Sequence, residues 1–175
     1  MTLFIERGYA AVTVAEIADR AGLTKRTFFN HFPDKREVLF AGAQDFEAGI
    51  VKHLTRAPDD AAPIDAAIAA LTHSSLELAQ YSDYARIRRD LIASAPELQE
   101  RDLIKMTSLA SAIADALCQR HVSPRTATLT AQAAVAVFNT AYADWIDNST
   151  EDFGALMQRS LAEFRQAVGA TPSAG

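Results

Sequence analysis

Residues 12–39, VTVAEIADRAGLTKRTFFNHFPDKREVL, have the pattern of two short helices separated by a glycine. Apolar residues recur at helical spacing over 14–21, at Val14, Ile17, Ala18 and Ala21. Gly22 can adopt the positive φ that ends a helix, and Thr24 is a favoured residue for capping the next one. The segment therefore predicts a helix–turn–helix unit, in which the second helix typically enters a DNA groove.

The second helix of this unit has two different sides. Phe28, Phe29 and Phe32 follow one side, whereas the other presents polar side chains, at Arg26, Thr27, Asn30 and, further round, His31. We expect Arg26, Thr27 and Asn30 to reach base edges. We expect phosphate contacts from a second set, Thr13, Lys25, His31 and Lys35.

The charge distribution agrees with this interpretation, although the net charge of the chain is -5. Residues 1–56 carry a net charge of +1 and residues 57–175 carry -6. Residues 23–36 hold Lys25, Arg26, Lys35 and Arg36 against Asp34 alone, a local net charge of +3. Because the local field attracts phosphate, the acidic distal part does not exclude DNA binding.

Four blocks in register resemble the DNA-binding domain of the tetracycline-repressor (TetR) family of transcriptional regulators. They are LFIERGY, TVAEIADRAGL, T-x-x-T-F-F-x-H-F and Lys35, and they extend from Leu3 to about Ala41. The chain departs from the family pattern at Arg26, where a small residue is usual. It also has Phe29 where the family usually has a tyrosine whose hydroxyl reaches a phosphate; the resemblance still places Phe29 among the DNA-binding positions.

The third departure lies at the start of the chain. Family members normally carry ten or more residues before the Leu-Phe pair, which here is Leu3 and Phe4. Either the start of the sequence is clipped or helix 1 is short, and a shortened helix 1 is expected to hold the DNA-binding head less firmly.

The rest of the sequence predicts an all-α fold, because periodic apolar stripes are separated by prolines and no alternating β-branched run appears. Helix 4 is predicted to begin at Asp34, with Glu37 completing a capping box. The segment RAPDDAAP, residues 56–63, predicts a boundary. We thus expect a DNA-binding domain with helix 4 over 1–56, an effector-binding and dimerisation domain over 57–170, and a tail over 171–175.

Several function classes are disfavoured by the sequence. No apolar run approaches the roughly 20 residues that span a bilayer, and no signal peptide is visible. The lone Cys118 excludes an internal disulfide and fits a cytoplasmic location. No histidine pair at metal-ligand spacing, nucleophile elbow or phosphate-binding glycine loop is present, so we expect neither a metal, a cofactor nor an enzyme activity.

The distal helices could enclose an effector. The predicted lining residues combine apolar walls with a few polar groups, at Leu71, Ser75, Leu78, Arg88, Met106, Phe138, Asn139, Tyr142 and Trp145. The alternative is that Tyr142 and Trp145 are core or interface aromatics and that Arg88 is a surface charge. Residues 96–134 are similar to the C-terminal part of mycofactocin-type TetR regulators, which implies an acyl-CoA or similar amphiphilic effector.

The last helix carries an apolar stripe, at Phe153, Met157, Leu161 and Phe164. In proteins that resemble this chain, the two final helices pair with their copies in a second subunit, so this stripe is the predicted dimer interface. The alternative is that the stripe packs inside the monomer.

Together these features predict a homodimeric repressor that binds a double-stranded DNA operator and is released by a small, largely hydrophobic effector. The rival interpretation is a helical dimeric interaction module without productive DNA binding.

Overall fold

The computed structural model describes residues 2–75, 82–147 and 150–169. These residues form helices, and no strand occurs among them: α1 Thr2–Arg7, α2 Val14–Arg20, α3 Lys25–His31, a 3-10 helix Arg36–Phe40, α4 Ala43–Thr55, α5 Pro63–Ser75, α6 Ser82–Ala93, α7 Pro96–Gln119, α8 Pro124–Asp147 and α9 Phe153–Gly169. The all-α prediction, with a helix–turn–helix near the start of the chain, is confirmed.

Local signals placed several helix ends correctly. The residue Gly22 has a φ of 67° directly after α2. Pro124 is the first residue of α8, and the backbone N–H of Thr126 donates to Ser123 Oγ at 3.4 Å. Proline suits this position because the N–H that it lacks would have no intrahelical partner.

The predicted start of helix 4 is wrong. The Asp34 carboxylate accepts from the backbone N–H of Arg36 at 2.8 Å and from its guanidinium at 2.5 Å. Glu37 instead pairs with side chains of α7. The chain forms the 3-10 helix, turns at Gly42 with a φ of 83°, and begins α4 only at Ala43.

Packing divides the chain into two compact units that differ from the predicted domains. The first, here called the head unit, comprises Met1–Gln44 and Asp83–Lys105; the second, the body unit, comprises Asp45–Ser82 and Met106–Gly175. Most of α4 thus groups with the body unit, whereas α6 and the beginning of α7 group with the head unit.

The head unit has its own apolar core. Its buried members come from α1, the 3-10 helix, α6, α7 and the segment before α2: Phe4, Tyr9, Val12, Leu39, Phe40, Ile92 and Leu98. Although α1 has only six residues, Phe4 is 1% exposed and its ring centre lies 5.4 Å from that of Tyr9. The short first helix therefore still contributes to this core.

In the body unit, α8 packs against both α5 and α9. The buried alanines Ala131, Ala134 and Ala141 lie on the inner side of α8, where small side chains permit close helix approach. The guanidinium of Arg120, just beyond α7, donates to the carbonyl oxygens of Ala57 and Pro58 at 2.6 Å each. This interaction fixes the segment that follows α4, because these carbonyls lie beyond the helical hydrogen-bond pattern.

Candidate nucleic-acid interface

The start of α2 is held by a reciprocal capping box. The backbone N–H of Glu16 donates to Thr13 Oγ1 at 3.3 Å, while the backbone N–H and hydroxyl of Thr13 both donate to Glu16 Oε2 at 2.8 Å. Arg7 pairs with the other carboxylate oxygen at 2.6 Å. Hydrogen bonds from Thr13, with a further contribution from Arg7, lower the pKa of Glu16 to about 2. The box thus joins α2 to the end of α1.

The turn between α2 and α3 has the hydrogen bonds of a Schellman motif. The backbone N–H of Leu23 donates to Ala18 at 2.8 Å, and that of Gly22 donates to Asp19 at 2.9 Å. The positive φ of Gly22 makes both bonds possible, since a residue with a Cβ pays a steric cost in this region. The turn fixes the direction in which α3 leaves α2.

Helix α3 begins at a threonine cap and is anchored through one aromatic side chain. The backbone N–H of Thr27 donates to Thr24 Oγ1 at 3.1 Å, and the two hydroxyl oxygens lie 2.9 Å apart. Phe28 is buried, and its ring centre lies 5.4 Å from that of Phe32. Burial of Phe28 turns the opposite side of the helix outwards.

The outward side of α3 carries most of the predicted DNA contacts. The exposed residues of the helix are Lys25, Arg26, Phe29, Asn30 and His31, whereas Thr27 is half-buried. No acidic residue occurs in the helix sequence KRTFFNH. This side therefore offers hydrogen-bond donors and positive charge without a carboxylate that would repel phosphate.

Two residues predicted to hold phosphates have other partners in the structure. Lys35 Nζ donates to the carbonyl oxygens of Tyr9 and Val12 at 3.0 Å each, and Thr13 is occupied by the α2 capping box. The Lys35 ammonium also lies 4.2 Å from the centre of the Tyr9 ring. We therefore assign Lys35 and Thr13 to positioning α2 and α3.

The 3-10 helix that follows α3 is tied to α7 by an ion triad. Glu37 pairs with Arg101 through Nε and with Lys105 Nζ at 3.1 Å. Burial of Glu37 opposes its ionisation, but the hydrogen bonds from Arg101 and Lys105 outweigh burial and lower its pKa. Sequence reasoning missed this triad because Glu37 lies 64 residues before Arg101, and further still before Lys105.

Arg88, one of the predicted effector-lining residues, makes its contacts in this same region. Its Nε donates to the carbonyl oxygen of Leu39 at 3.0 Å, and its terminal nitrogen pairs with Asp102 at 3.2 Å. The guanidinium also lies 5.0 Å from the centre of the Phe40 ring. These partners are all in the head unit, where Arg88 stabilises the segment after α3.

The other predicted effector residues are only partly brought together. Leu71, Ser75, Phe138 and Trp145 are buried in the body unit, whereas Met106 and Tyr142 are half-buried. Rings of Phe46, Phe138, Tyr142, Trp145 and Phe153 form successive contacts with centre-to-centre distances of 5.7 to 6.1 Å. Asn139 is exposed on α8, apart from the buried members of this set, and Leu78 lies outside the described residues.

Two neighbouring serines of α5 differ in their hydrogen bonds. Ser75 Oγ donates to the carbonyl oxygen of Leu71 at 2.7 Å. Ser74 Oγ is also buried, but it has no hydrogen-bond partner among the described residues. A Cβ added at Gly49 of α4 would lie 3.3 Å from this oxygen, so Ser74 faces the α4 backbone closely.

The stripe predicted to form the dimer interface is largely buried within the single chain. Phe153, Met157 and Leu161 are at most 4% exposed within the single chain, and Phe164 is half-buried. A side chain that is already buried has almost no further area to bury against a partner. The stripe therefore packs α9 inside the body unit, the alternative that periodicity alone left open.

A shallow surface depression of about 430 Å³ lies on the head unit beside the start of α3. Its lining residues, Ala15, Glu16, Ala18, Asp19, Leu23 and Lys25, include none of the predicted effector residues. Within the described ranges, no three His, Cys, Asp or Glu side chains are grouped closely enough to hold a metal ion. None of the described helices is both long and apolar enough to cross a membrane.

Two family models match the chain. Residues 1–41 match the family described as bacterial regulatory proteins, tetR family, and residues 61–169 match the MftR C-terminal domain. The second match alone covers more than half of the chain.

Two curated relatives are HTH-type transcriptional regulators. The HTH-type transcriptional activator FasR of Mycolicibacterium smegmatis is 38% identical over 55 residues, 31% of this chain and 25% of that protein. The HTH-type transcriptional repressor KstR2 of the same organism is 29% identical over 98 residues, 51% of this chain and 48% of that protein. The chain thus spans half or less of the length of these curated relatives.

A solved structure shares the fold. It is Thermus thermophilus FadR, a TetR family transcriptional repressor, in complex with lauroyl-CoA, with a TM-score of 0.53 and 18% sequence identity. The match covers 100% of this chain and 94% of that one.

Proposed function

Because this chain belongs to the TetR family of bacterial regulatory proteins, we propose that it is a homodimeric, ligand-responsive regulator that binds operator DNA through α3. The observation that carries the proposal is the outward side of α3, where Lys25, Arg26, Asn30 and His31 are exposed and no carboxylate is present. A regulator of this type acts on DNA in the cytoplasm and needs no enzymatic activity.

The side chains of α3 have different roles in this proposal. Arg26 and Asn30 lie near the centre of the outward side and read base edges, the arginine through the bidentate geometry suited to guanine. Lys25 and His31 lie at its margins and hold phosphates. Thr27 can read a base only when its hydroxyl gives up the hydrogen bond with the Thr24 hydroxyl, so we propose only a minor role for Thr27 in base recognition.

The proposed dimer uses the exposed sides of the last two helices. On α8 this side carries the small or aliphatic residues Leu129, Ala136, Thr140 and Ala143, and on α9 it carries Ala155 and Ala162. Small residues at helical spacing allow the helices of two copies to approach closely. To bind an operator, such a dimer would have to present its two copies of α3 about 34 to 36 Å apart, the separation of successive major grooves.

The proposed effector is a molecule with a long apolar chain, of the acyl-CoA class. The match to the MftR C-terminal domain and the lauroyl-CoA complex of the FadR neighbour support this class. The aromatic contacts around Phe138 offer an apolar environment, and the Ser74 hydroxyl, which has no partner among the described residues, is a polar group that a ligand could satisfy. Such an effector releases DNA only if it favours the head spacing that does not fit the operator.

An electrophoretic mobility-shift experiment tests the proposal. We expect the purified protein to bind DNA from upstream of its own gene more tightly than random DNA of equal length, with affinity falling as salt rises. Lauroyl-CoA should reverse this binding, whereas free coenzyme A should not. Equal affinity for both DNAs would favour the rival interpretation, a helical dimeric interaction module without productive DNA binding.

A further inference from the structure

Phe29 is an exposed aromatic residue on the helix proposed to enter the DNA groove. Its side chain is 52% exposed, whereas its neighbour Phe28 is 3% exposed and anchors α3 to the head unit. The two rings touch edge to face, with centres 5.5 Å apart and planes inclined by 89°. Phe28 therefore supports the ring of Phe29 on one side and leaves its remaining surface open.

The position of Phe29 on α3 places it next to the cationic residues. Lys25 and Arg26 precede it by four and three residues, so all three side chains share one stretch of helix surface. Helical side chains also lean towards the N-terminus, which brings the Phe29 ring towards Lys25 and Arg26. The ring thus lies beside the side chains that we assign to a phosphate and to a base.

The chemistry of the ring limits what Phe29 can bind there. Phenylalanine has neither a donor nor an acceptor, so it cannot hold a phosphate oxygen or read a base through a hydrogen bond. The apolar group that B-DNA presents in the major groove is the C5-methyl of thymine. This methyl borders the backbone of its own strand, which suits a side chain between the phosphate-binding margin and the base-reading centre of α3.

We propose that Phe29 determines specificity by packing against the C5-methyl of a thymine in each half-site, next to the base read by Arg26. This inference rests on the proposed DNA binding by α3. Removing one methyl group from such a contact should weaken binding about fourfold, from the transfer free energy of about 0.8 kcal/mol per buried carbon group. Removal from both half-sites should weaken it roughly 15-fold.

The test replaces thymines with deoxyuracil, which lacks only the methyl group. A preferred DNA sequence is first selected from a random pool with the wild-type dimer, and each thymine is then replaced in both half-sites. We expect one position at which wild-type affinity falls roughly 15-fold and at which Phe29→Ala shows no further loss. Phe29→Leu should retain part of this sensitivity, and thymines outside the half-sites are the matched control.

The outcomes separate the inference from the function on which it rests. If wild-type and Phe29→Ala proteins respond equally to every replacement, the contact with a methyl group is excluded while sequence-specific binding stands. If no sequence is enriched from the random pool, the proposed function itself fails. Because Phe29 is exposed, Phe29→Ala should fold, and its circular dichroism and thermal midpoint verify this.

Discussion

The ammonium of Lys35 lies 4.2 Å from the centre of the Tyr9 ring and donates to the carbonyl oxygen of the same residue at 3.0 Å. One side chain thereby joins the segment after α3 to the segment between α1 and α2.

Replacing Lys35 should therefore change stability more than electrostatic attraction to DNA. We expect Lys35→Met to lower the free energy of unfolding by about 2 kcal/mol, through two lost hydrogen bonds and a lost cation–π contact. For a chain of this size that corresponds to a thermal midpoint lower by roughly 4–8 °C. The salt dependence of DNA binding should stay unchanged in Lys35→Met. Lys25→Met, an exposed control, should reduce the slope of log affinity against log salt concentration by about 1 and leave the thermal midpoint unaltered.

The Glu37 triad predicts a pH dependence. The folded state lowers the pKa of Glu37 from its ordinary value of 4.5, so its stabilisation is present above pH 4.5 and is lost as pH falls through the lower folded value. At pH 7, Glu37→Gln should cost about 2 kcal/mol, as expected for hydrogen bonds to charged groups. Thermal melts from pH 7 to pH 3 should show the two proteins converging at low pH. Glu163→Gln, an exposed control on α9, should follow the wild type throughout.

Arg26 and Lys25 should differ in what they contribute to DNA binding. Arg26→Ala should lose about 1 to 3 kcal/mol on the preferred sequence and little on random DNA, because it removes a base contact. Lys25→Ala should weaken both DNAs by a similar factor, because a phosphate contact carries no sequence information. Fluorescence anisotropy titrations on both DNAs give the four affinities. If the ratio of the affinity for the preferred sequence to that for random DNA were similar in the two variants, the assignment of Arg26 to a base and Lys25 to a phosphate would be contradicted.

The proposed dimer face can be separated from the α9 core stripe by two substitutions. Ala136→Glu, on the exposed side of α8, should give folded monomers by light scattering, because it introduces charge between closely packed helices. Leu161→Asp should instead unfold the body unit, since a charge would replace a side chain that is 2% exposed in the single chain. Ser111→Glu, on an exposed side of α7, is the control. If the Ala136→Glu protein were still dimeric, this face of α8 would be excluded as the dimer interface.

Ser74 and Ser75 form a matched pair for testing the effector site. Ser75→Ala should lower stability by about 1 kcal/mol, because the hydrogen bond to Leu71 is lost. Ser74→Ala should leave stability unchanged or raise it, since its buried hydroxyl oxygen has no partner among the described residues. If an effector binds this hydroxyl, Ser74→Ala should raise the effector concentration needed to release DNA severalfold. An unchanged effector response would remove Ser74 from the site.

Sequence reasoning succeeded where the deciding interaction is local. Gly22, Thr24 and Pro124 act within one turn of their own positions, so they predicted the ends of α2, α3 and α8. The capping box assigned to Asp34 and Glu37 failed because Arg101 and Lys105 hold the Glu37 carboxylate instead. The sequence of residues 34–37 gives no indication that distant basic side chains compete for this carboxylate.

The functional residues were predictable only in part, for the same reason. The outward polar side of α3 follows from helical periodicity, and the exposure of Lys25, Arg26 and Asn30 agrees with it. Periodicity could not decide between two roles for the α9 stripe, because core packing and subunit pairing require the same spacing of apolar residues. The roles of Lys35 and Arg88 depend on carbonyl oxygens 26 and 49 residues away, which no local pattern contains.

The composition of the head unit determines how this protein can be recombined with its relatives. A chimera joined at residue 56 would transplant Glu37 and Leu39 but leave Arg88, Arg101 and Lys105 with the recipient. The donor carboxylate would then depend on whatever side chains the recipient places at those positions. A graft that carries residues 83–105 together with 1–44 would keep these partners, so exchangeable modules in this protein are discontinuous along the chain.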